Sequence, residues 1–128
     1  MNRLTRLTPE AIEELAVKVR DFLLDHGLWQ DVDIYFNGKR FTTRDPKTGK
    51  YHYNDRNYLF EEEEQNPEDY FKYVNPDHIL SMSFEGPVCW MLYYGTNPKI
   101  KKQFDKMFTE WGLYYEFGDC WNFTCYYI

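Results

Sequence analysis

Carboxylate side chains crowd one short stretch near the middle of the chain, and no lysine or arginine lies between Arg56 and Lys72. These residues are Glu61, Glu62, Glu63, Glu64, Glu68 and Asp69. Successive residues of an extended strand lie about 3.4 Å apart, which is also the spacing of the charges along one DNA strand. Such a segment can therefore replace phosphates at a basic protein surface. A solvated segment that resists aggregation has the same composition, so this alternative stays open.

Aromatic residues make up 20% of the sequence and include 12 tyrosines, more than one small core usually holds. Tyr70 and Tyr73 follow the carboxylates directly, and a tyrosine ring supplies contact area at little entropic cost. We therefore predict one partner-binding site formed by the six carboxylates with Tyr70 and Tyr73. Its partner would be a basic surface of a host protein, because lysine and arginine side chains donate hydrogen bonds to carboxylates.

Three lysines crowd the first turn of a predicted helix, where the helix dipole disfavours positive charge. They are Lys99, Lys101 and Lys102. Pairing with the carboxylate-rich segment would compensate this arrangement, and we expect that pairing. An anionic partner at the helix start is the alternative.

Asp31 and Asp33 could form a carboxylate pair for hydrolysis, although a solvated outer strand face explains them more simply. Together with His52 and nearby aromatic residues they also suit a pocket for a small ligand. No serine or cysteine lies in a glycine-flanked elbow, and no glycine-rich phosphate loop occurs in the sequence. We therefore predict no catalytic residues and a protein that is not an enzyme.

The histidines and cysteines lack the spacing of metal ligands. The histidines, His26, His52 and His78, lie in separate segments. The cysteines, Cys89, Cys120 and Cys125, are odd in number, which is typical of reduced thiols in a cytoplasmic protein. We expect no metal and no cofactor.

The chain has 128 residues, which suits a single globular domain spanning residues 1–128. Its net charge of −6 opposes direct binding to nucleic acid. No apolar run approaches the roughly 20 residues of a membrane span, and no signal peptide is recognisable. We expect a cytoplasmic protein without a membrane partner, and the oligomeric state stays open.

The first third of the chain predicts a helix and a meander of strands that would position these residues. Thr8 and Pro9 begin a helix that runs to about His26, with Gly27 after it. Residues 32–36 alternate as a strand, and Asn37-Gly38 predicts a tight hairpin. After a turn at residues 45–49, Tyr51-His52-Tyr53 is predicted as the third strand of the meander.

The remaining segments predict further helices and strands in one antiparallel sheet. Asn66-Pro67 begins a short helix carrying Tyr70 to Val74, which Asn75-Pro76 ends, and residues 78–84 form a strand. Residues 88–93 suit either a helix or a strand. Asn97-Pro98 begins a helix closed by Gly112, and residues 113–117 and 121–127 form a hairpin. The fold class is α+β, with about five to six short strands and about three helices packed on the sheet.

Three stretches resemble a group of small proteins carried by phages and conjugative elements of gut bacteria. They are Ser81-Met82-Ser83-Phe84-Glu85-Gly86-Pro87 and Gly112-Leu113-Tyr114-Tyr115-Glu116 with Trp121-Asn122-Phe123-Thr124. Small acidic proteins of that origin include anti-CRISPR and anti-restriction inhibitors. The resemblance implies a protein-binding role without catalysis.

The leading hypothesis is an acidic, non-enzymatic inhibitor that occupies a basic nucleic-acid-binding surface of a host nuclease, such as a CRISPR nuclease. Two alternatives stay open. One is a small-ligand-binding domain or minor enzyme with an aromatic pocket. The other is a structural or assembly protein that associates through exposed aromatic residues.

Overall fold

The structure is a computed structural model that describes residues 6–74 and 78–128. Its described part contains one antiparallel sheet of six strands in the order β3-β2-β1-β4-β6-β5, so the predicted α+β class is confirmed. The strands are β1 Val32–Phe36, β2 Lys39–Thr42, β3 Phe60–Glu62, β4 Ser81–Phe84, β5 Leu113–Phe117 and β6 Asn122–Tyr127. The α-helices are α1 Pro9–Asp25, α2 Gly86–Leu92 and α3 Pro98–Glu110.

Helix α1 begins and ends where its local sequence predicts. The Thr8 hydroxyl accepts a hydrogen bond from the Ala11 amide at 3.1 Å, and Pro9 occupies the first helical position. Gly27 follows the helix with a φ of +67°, a conformation in which most side chains are strained. One face of the helix is buried in the core and carries Leu15, Ala16, Val19 and Leu23.

The β1–β2 hairpin is confirmed, but the predicted third strand of the meander is wrong. Asn37 and Gly38 both have positive φ, as a two-residue hairpin turn requires. Tyr51 forms only an isolated bridge with Arg44, and residues 60–62 pair with β2 instead. The chain leaves the sheet at this point because its backbone bonds to another partner: the Asn54 amide donates to the Trp29 carbonyl at 2.9 Å.

The structure also decides two further segments, the short helix predicted after Asn66 and the segment at residues 88–93 that suits either a helix or a strand. The short helix predicted after Asn66 is a single 3-10 turn, Pro67–Asp69, after which Phe71 is buried against Tyr35. Burial of that ring fixes the chain in an irregular path across the sheet. The predicted end of this helix, Asn75-Pro76, lies outside the described residues. Residues 88–92 of the ambiguous segment belong to helix α2, and Tyr93 caps its end.

The two faces of the sheet have different chemistry. The helices cover one face, where alternate strand residues join an aromatic and aliphatic core that includes Phe36, Phe104 and Phe123. The opposite face carries buried polar side chains, and Ser81 and Thr124 share a hydrogen bond of 2.9 Å there. This polar face is where a site for polar molecules can form.

Candidate functional site

The carboxylate-rich segment lies at one edge of the sheet, and its first two residues are already paired. Glu62 lies opposite Arg40 in the β2–β3 register, and its carboxylate is 2.7 Å from the guanidinium. Glu61 lies 3.2 Å from the ammonium of Lys39. Cross-strand pairs of opposite charge are favourable, so strand register explains these contacts. The pairs neutralise part of the charge that the phosphate-mimic hypothesis requires.

The expected pairing of this segment with the lysines of α3 is wrong. Lys101 pairs with Asp105 on its own helix at 2.7 Å. Strand β3 and strand β5, which α3 packs against, are the two outermost strands of the sheet. Five interstrand spacings of about 4.8 Å separate them by about 24 Å, too far for a side-chain ion pair.

The other predicted partner-binding residues do not form one cluster. Glu63 and Glu64 are exposed and form no ion pair within residues 6–74 and 78–128, and Asp69 is also exposed. The Glu68 carboxylate lies 3.5 Å from Nε2 of His78.

The two predicted tyrosines lie in different surroundings. Tyr70 is 47% exposed, and the Arg40 guanidinium lies 5.2 Å from its ring centre, beside the carboxylate-rich edge. Tyr73 is 58% exposed and lies against the β5–β6 turn, where its carbonyl is 3.0 Å from the position that a Cβ on Gly118 would occupy. Tyr70 therefore belongs with the acidic edge, whereas Tyr73 does not.

A cavity of about 340 Å³ opens on the polar face of the sheet. It brings together two sequence-predicted residues, Asp31 and Asp33, although Asp31 precedes β1 and has a φ of +55°. The complete lining is Asp31, Asp33, Arg40, Thr42, Thr43, Arg44, Tyr51, Ser83, Phe84, Glu85 and Trp121.

Asp33 lies in the middle of the cavity floor because of its place in the sheet. The β1 register sets it between Thr42 of β2 and Ser83 of β4. The Ser83 hydroxyl donates to its carboxylate at 3.3 Å, and Thr42 is its neighbour on the other strand. Burial raises the pKa of Asp33, while Thr42, Arg40 and Ser83 act in the opposite direction. The fold therefore holds a carboxyl group where ionisation is disfavoured.

Asp31 connects the cavity to the loop of residues 45–58. The Tyr53 hydroxyl donates to the Asp31 carboxylate at 2.6 Å, and this bond raises the pKa of Tyr53 to about 12. The Asp31 carbonyl accepts from the Glu85 amide at 3.0 Å. A positive φ is uncommon outside glycine, and such backbone strain is concentrated at functional sites.

Aromatic rings and one free guanidinium form the upper part of the cavity. Tyr51 is 56% exposed and Trp121 is 38% exposed, and the Trp121 ring packs edge-on against Phe71 at 5.6 Å. Arg44 is exposed and forms no ion pair in the described part of the chain. His52 does not line the cavity, since its ring stacks on Tyr58 at 4.3 Å.

Sequence analysis missed several lining residues, above all Ser83, Arg44 and Trp121. A usable signal existed for Ser83, because Ser81 and Ser83 alternate with apolar residues along one strand and so predict a polar second face. No comparable signal places Arg44 or Trp121, which come from separate connecting segments.

The cysteines provide no further site. Cys125 is fully buried, and the Cys89 thiol lies 3.6 Å from the Cys120 carbonyl. Residues 6–74 and 78–128 contain no group of three or more His, Cys, Asp or Glu side chains able to hold a metal ion.

No helix in the described ranges is long and apolar enough to cross a membrane. Comparisons of the chain with protein-family models, with curated proteins and with solved structures gave no significant match. The assignment of function therefore depends on the geometry of the two surfaces described above.

Proposed function

We propose that this protein binds a small polar ligand in the cavity on the open face of its sheet. The observation that carries the proposal is the position of Asp33. Its carboxyl group lies on the floor of a cavity of about 340 Å³, where burial raises its pKa. Ligand pockets commonly have volumes of about 300–1,000 Å³. A perturbed ionisable group inside a cleft is a recognised marker of a functional site.

The lining supplies both orientation and contact area. Asp33, Ser83 and Thr42 place oxygen atoms on three neighbouring strands, where the sheet holds them rigidly. Tyr51 and Trp121 supply apolar walls at the opening. We propose a binding role without catalysis, in which the Asp33 carboxylate accepts hydrogen bonds from the ligand.

A substitution that fills the cavity tests this proposal. Thermal unfolding would be followed with a library of polar metabolites for the wild type and for Ser83→Leu, which fills the floor. A ligand at about 100 times its Kd stabilises the folded state by about 2.7 kcal/mol, so at least one compound should raise the Tm of the wild type alone.

The control for this experiment is Thr96→Leu, which adds a leucine at an exposed position outside the cavity lining. It should retain the ligand-induced shift. Equal shifts in the wild type and Ser83→Leu would contradict binding in the cavity.

A second proposed function uses the acidic edge, and it is favoured by the exposure of Glu63, Glu64 and Asp69 beside the outermost strand β3. In this proposal the protein is an anti-CRISPR-like inhibitor from a phage or mobile element. Its edge would occupy a basic nucleic-acid-binding surface of a host nuclease, with Tyr70 supplying contact area. The pairing of Glu61 and Glu62 within the sheet limits this surface to fewer free charges than the sequence indicates.

The acidic edge can be tested by binding measurements against a panel of CRISPR nucleases. A Glu63→Gln/Glu64→Gln variant should lose affinity, and binding of the wild type should weaken steeply between low and high salt. The matched control is Glu110→Gln/Glu116→Gln, which removes the same charge from exposed positions outside the edge. Equal loss of affinity in both variants would show that only net charge matters.

A further inference from the structure

The cavity lining carries more negative than positive charge. Its carboxylates come from Asp31, Asp33 and Glu85, none of which forms an ion pair with a lysine or arginine in the described part of the chain. Arg40 also lines the cavity, but its charge is compensated because its Nε and Nη2 atoms lie 2.9 Å and 2.7 Å from the Glu62 carboxylate. Arg44 at the rim is the remaining cation of the lining, so the carboxylates outnumber it.

The aromatic rim adds a second kind of attraction for positive charge. Tyr51 and Trp121 both line the opening and keep exposed ring surface. A cation that approaches the face of a tyrosine or tryptophan ring is attracted by the negative face of the ring. Aromatic rings at the opening and carboxylates on the floor together suit an elongated ligand with a charged tip.

We infer that the ligand of this cavity is an organic cation that carries a protonated amine, amidine or guanidinium group. The inference rests on the proposed ligand-binding function and specifies the chemical class of the ligand. The cationic tip donates hydrogen bonds to Asp33 and Asp31, and the body of the ligand packs against Tyr51 and Trp121. A free metabolite and an arginine or lysine side chain of another protein both offer this chemistry.

A neutral sugar is the main competing class, because sugars also bind to carboxylates and aromatic rings. A sugar gains hydrogen bonds at the floor but leaves the excess negative charge uncompensated in a partly enclosed site. A cationic ligand compensates this negative charge. Arg40 does not, because its guanidinium is already paired with Glu62. The observed charges therefore favour a cation.

The test uses two probes of the same shape and different charge, benzamidine and benzamide. Amide chemical shifts would be followed by NMR at neutral pH while each probe is added to the wild type. Benzamidine should shift the amides of residues 31–33, 42–44 and 83–85, and benzamide should bind at least about tenfold more weakly, since hydrogen bonds to charged groups are the stronger ones.

Asp33→Asn keeps the shape of the side chain and removes its charge. It should weaken benzamidine binding by about tenfold or more, whereas Glu116→Gln, an exposed carboxylate on β5 outside the cavity, should leave the affinity unchanged. A dispersed amide spectrum of each variant confirms that the fold is intact. Equal binding of benzamidine by Asp33→Asn and the wild type would overturn the assignment of Asp33.

Two further probes identify the source of the cation, and a neutral probe separates the two proposals. Binding of agmatine supports a free metabolite, whereas binding of only a blocked Gly-Arg-Gly peptide supports a side chain of a protein partner. If benzamide or glucose shifts the cavity amides and no cation does, the cation inference fails and the ligand-binding function stands. If none of these probes and no compound of the metabolite library shifts those amides, both fail.

Discussion

At the scale of one residue, Asp33 shows how the sheet places a carboxyl group where its ionised form is disfavoured. Alternation along β1 predicts that Asp33 lies on the face away from the core, and this is confirmed. Its surroundings were not predictable, because Thr42 and Ser83 become its neighbours only through pairing with two other strands. The sequence therefore indicates the carboxylate, and long-range register supplies its environment.

Asp33→Asn should stabilise the folded state at neutral pH. Burial of the carboxylate raises its pKa, which means that the ionised form opposes folding. Removing a cost of this kind at a functional site commonly gains about 1 kcal/mol. Urea unfolding at neutral pH, compared with the wild type, measures the change.

The pH dependence of the same pair of proteins has a defined sign. Because the folded state binds the Asp33 proton more tightly than the unfolded state, this residue lowers stability as the pH rises from the ordinary pKa of an aspartate through the raised value. The stability gap between variant and wild type should therefore narrow on acidification. A wild type that is more stable than Asp33→Asn at neutral pH, and that loses this advantage on acidification, would show that the Asp33 carboxylate stabilises the fold.

At the scale of elements, local sequence signals predict helix starts and turns correctly, whereas the paths of connecting segments are not predicted. The cap at Thr8 and the Asn37-Gly38 turn depend on neighbours in sequence, and both are confirmed. Tyr51-His52-Tyr53 is predicted as a strand, and this is wrong because the hydrogen bonds that hold residues 53 and 54 have partners distant in sequence. Hydrogen bonds from this loop to Trp29 and Asp31 hold it at the cavity rim instead of in the sheet.

Tyr53→Phe should loosen this loop with little effect on the rest of the fold. The variant loses the hydrogen bond to Asp31, an exposed contact worth less than about 1 kcal/mol to global stability. Amide hydrogen exchange should become faster at residues 45–53. Tyr58→Phe is the control, since the Tyr58 hydroxyl donates no hydrogen bond to the described residues. Equal exchange rates in the two variants would show that the Tyr53 bond does not hold the loop.

At the scale of the whole molecule, the sheet order explains why charges were assigned to the wrong partners. Composition indicates an acidic segment and a group of lysines, and attraction between them is a reasonable expectation. The order β3-β2-β1-β4-β6-β5 places them near opposite edges, so the acidic strand pairs with Arg40 and Lys39 on β2 instead, and Lys39 also pairs with Glu13 of α1. The same order leaves the polar face of β1 and β4 open at the centre of the sheet, where the cavity forms.

The most direct test of ligand binding is to map, on the amide spectrum of the protein, the site of the compound that raises its Tm most. Our account predicts that the shifted amides cluster at residues 31–33, 42–44 and 83–85, and that Ser83→Leu abolishes these shifts. Shifts confined to the carboxylate-rich segment at residues 61–69, unchanged in Ser83→Leu, would contradict it and would identify the acidic edge as the functional surface.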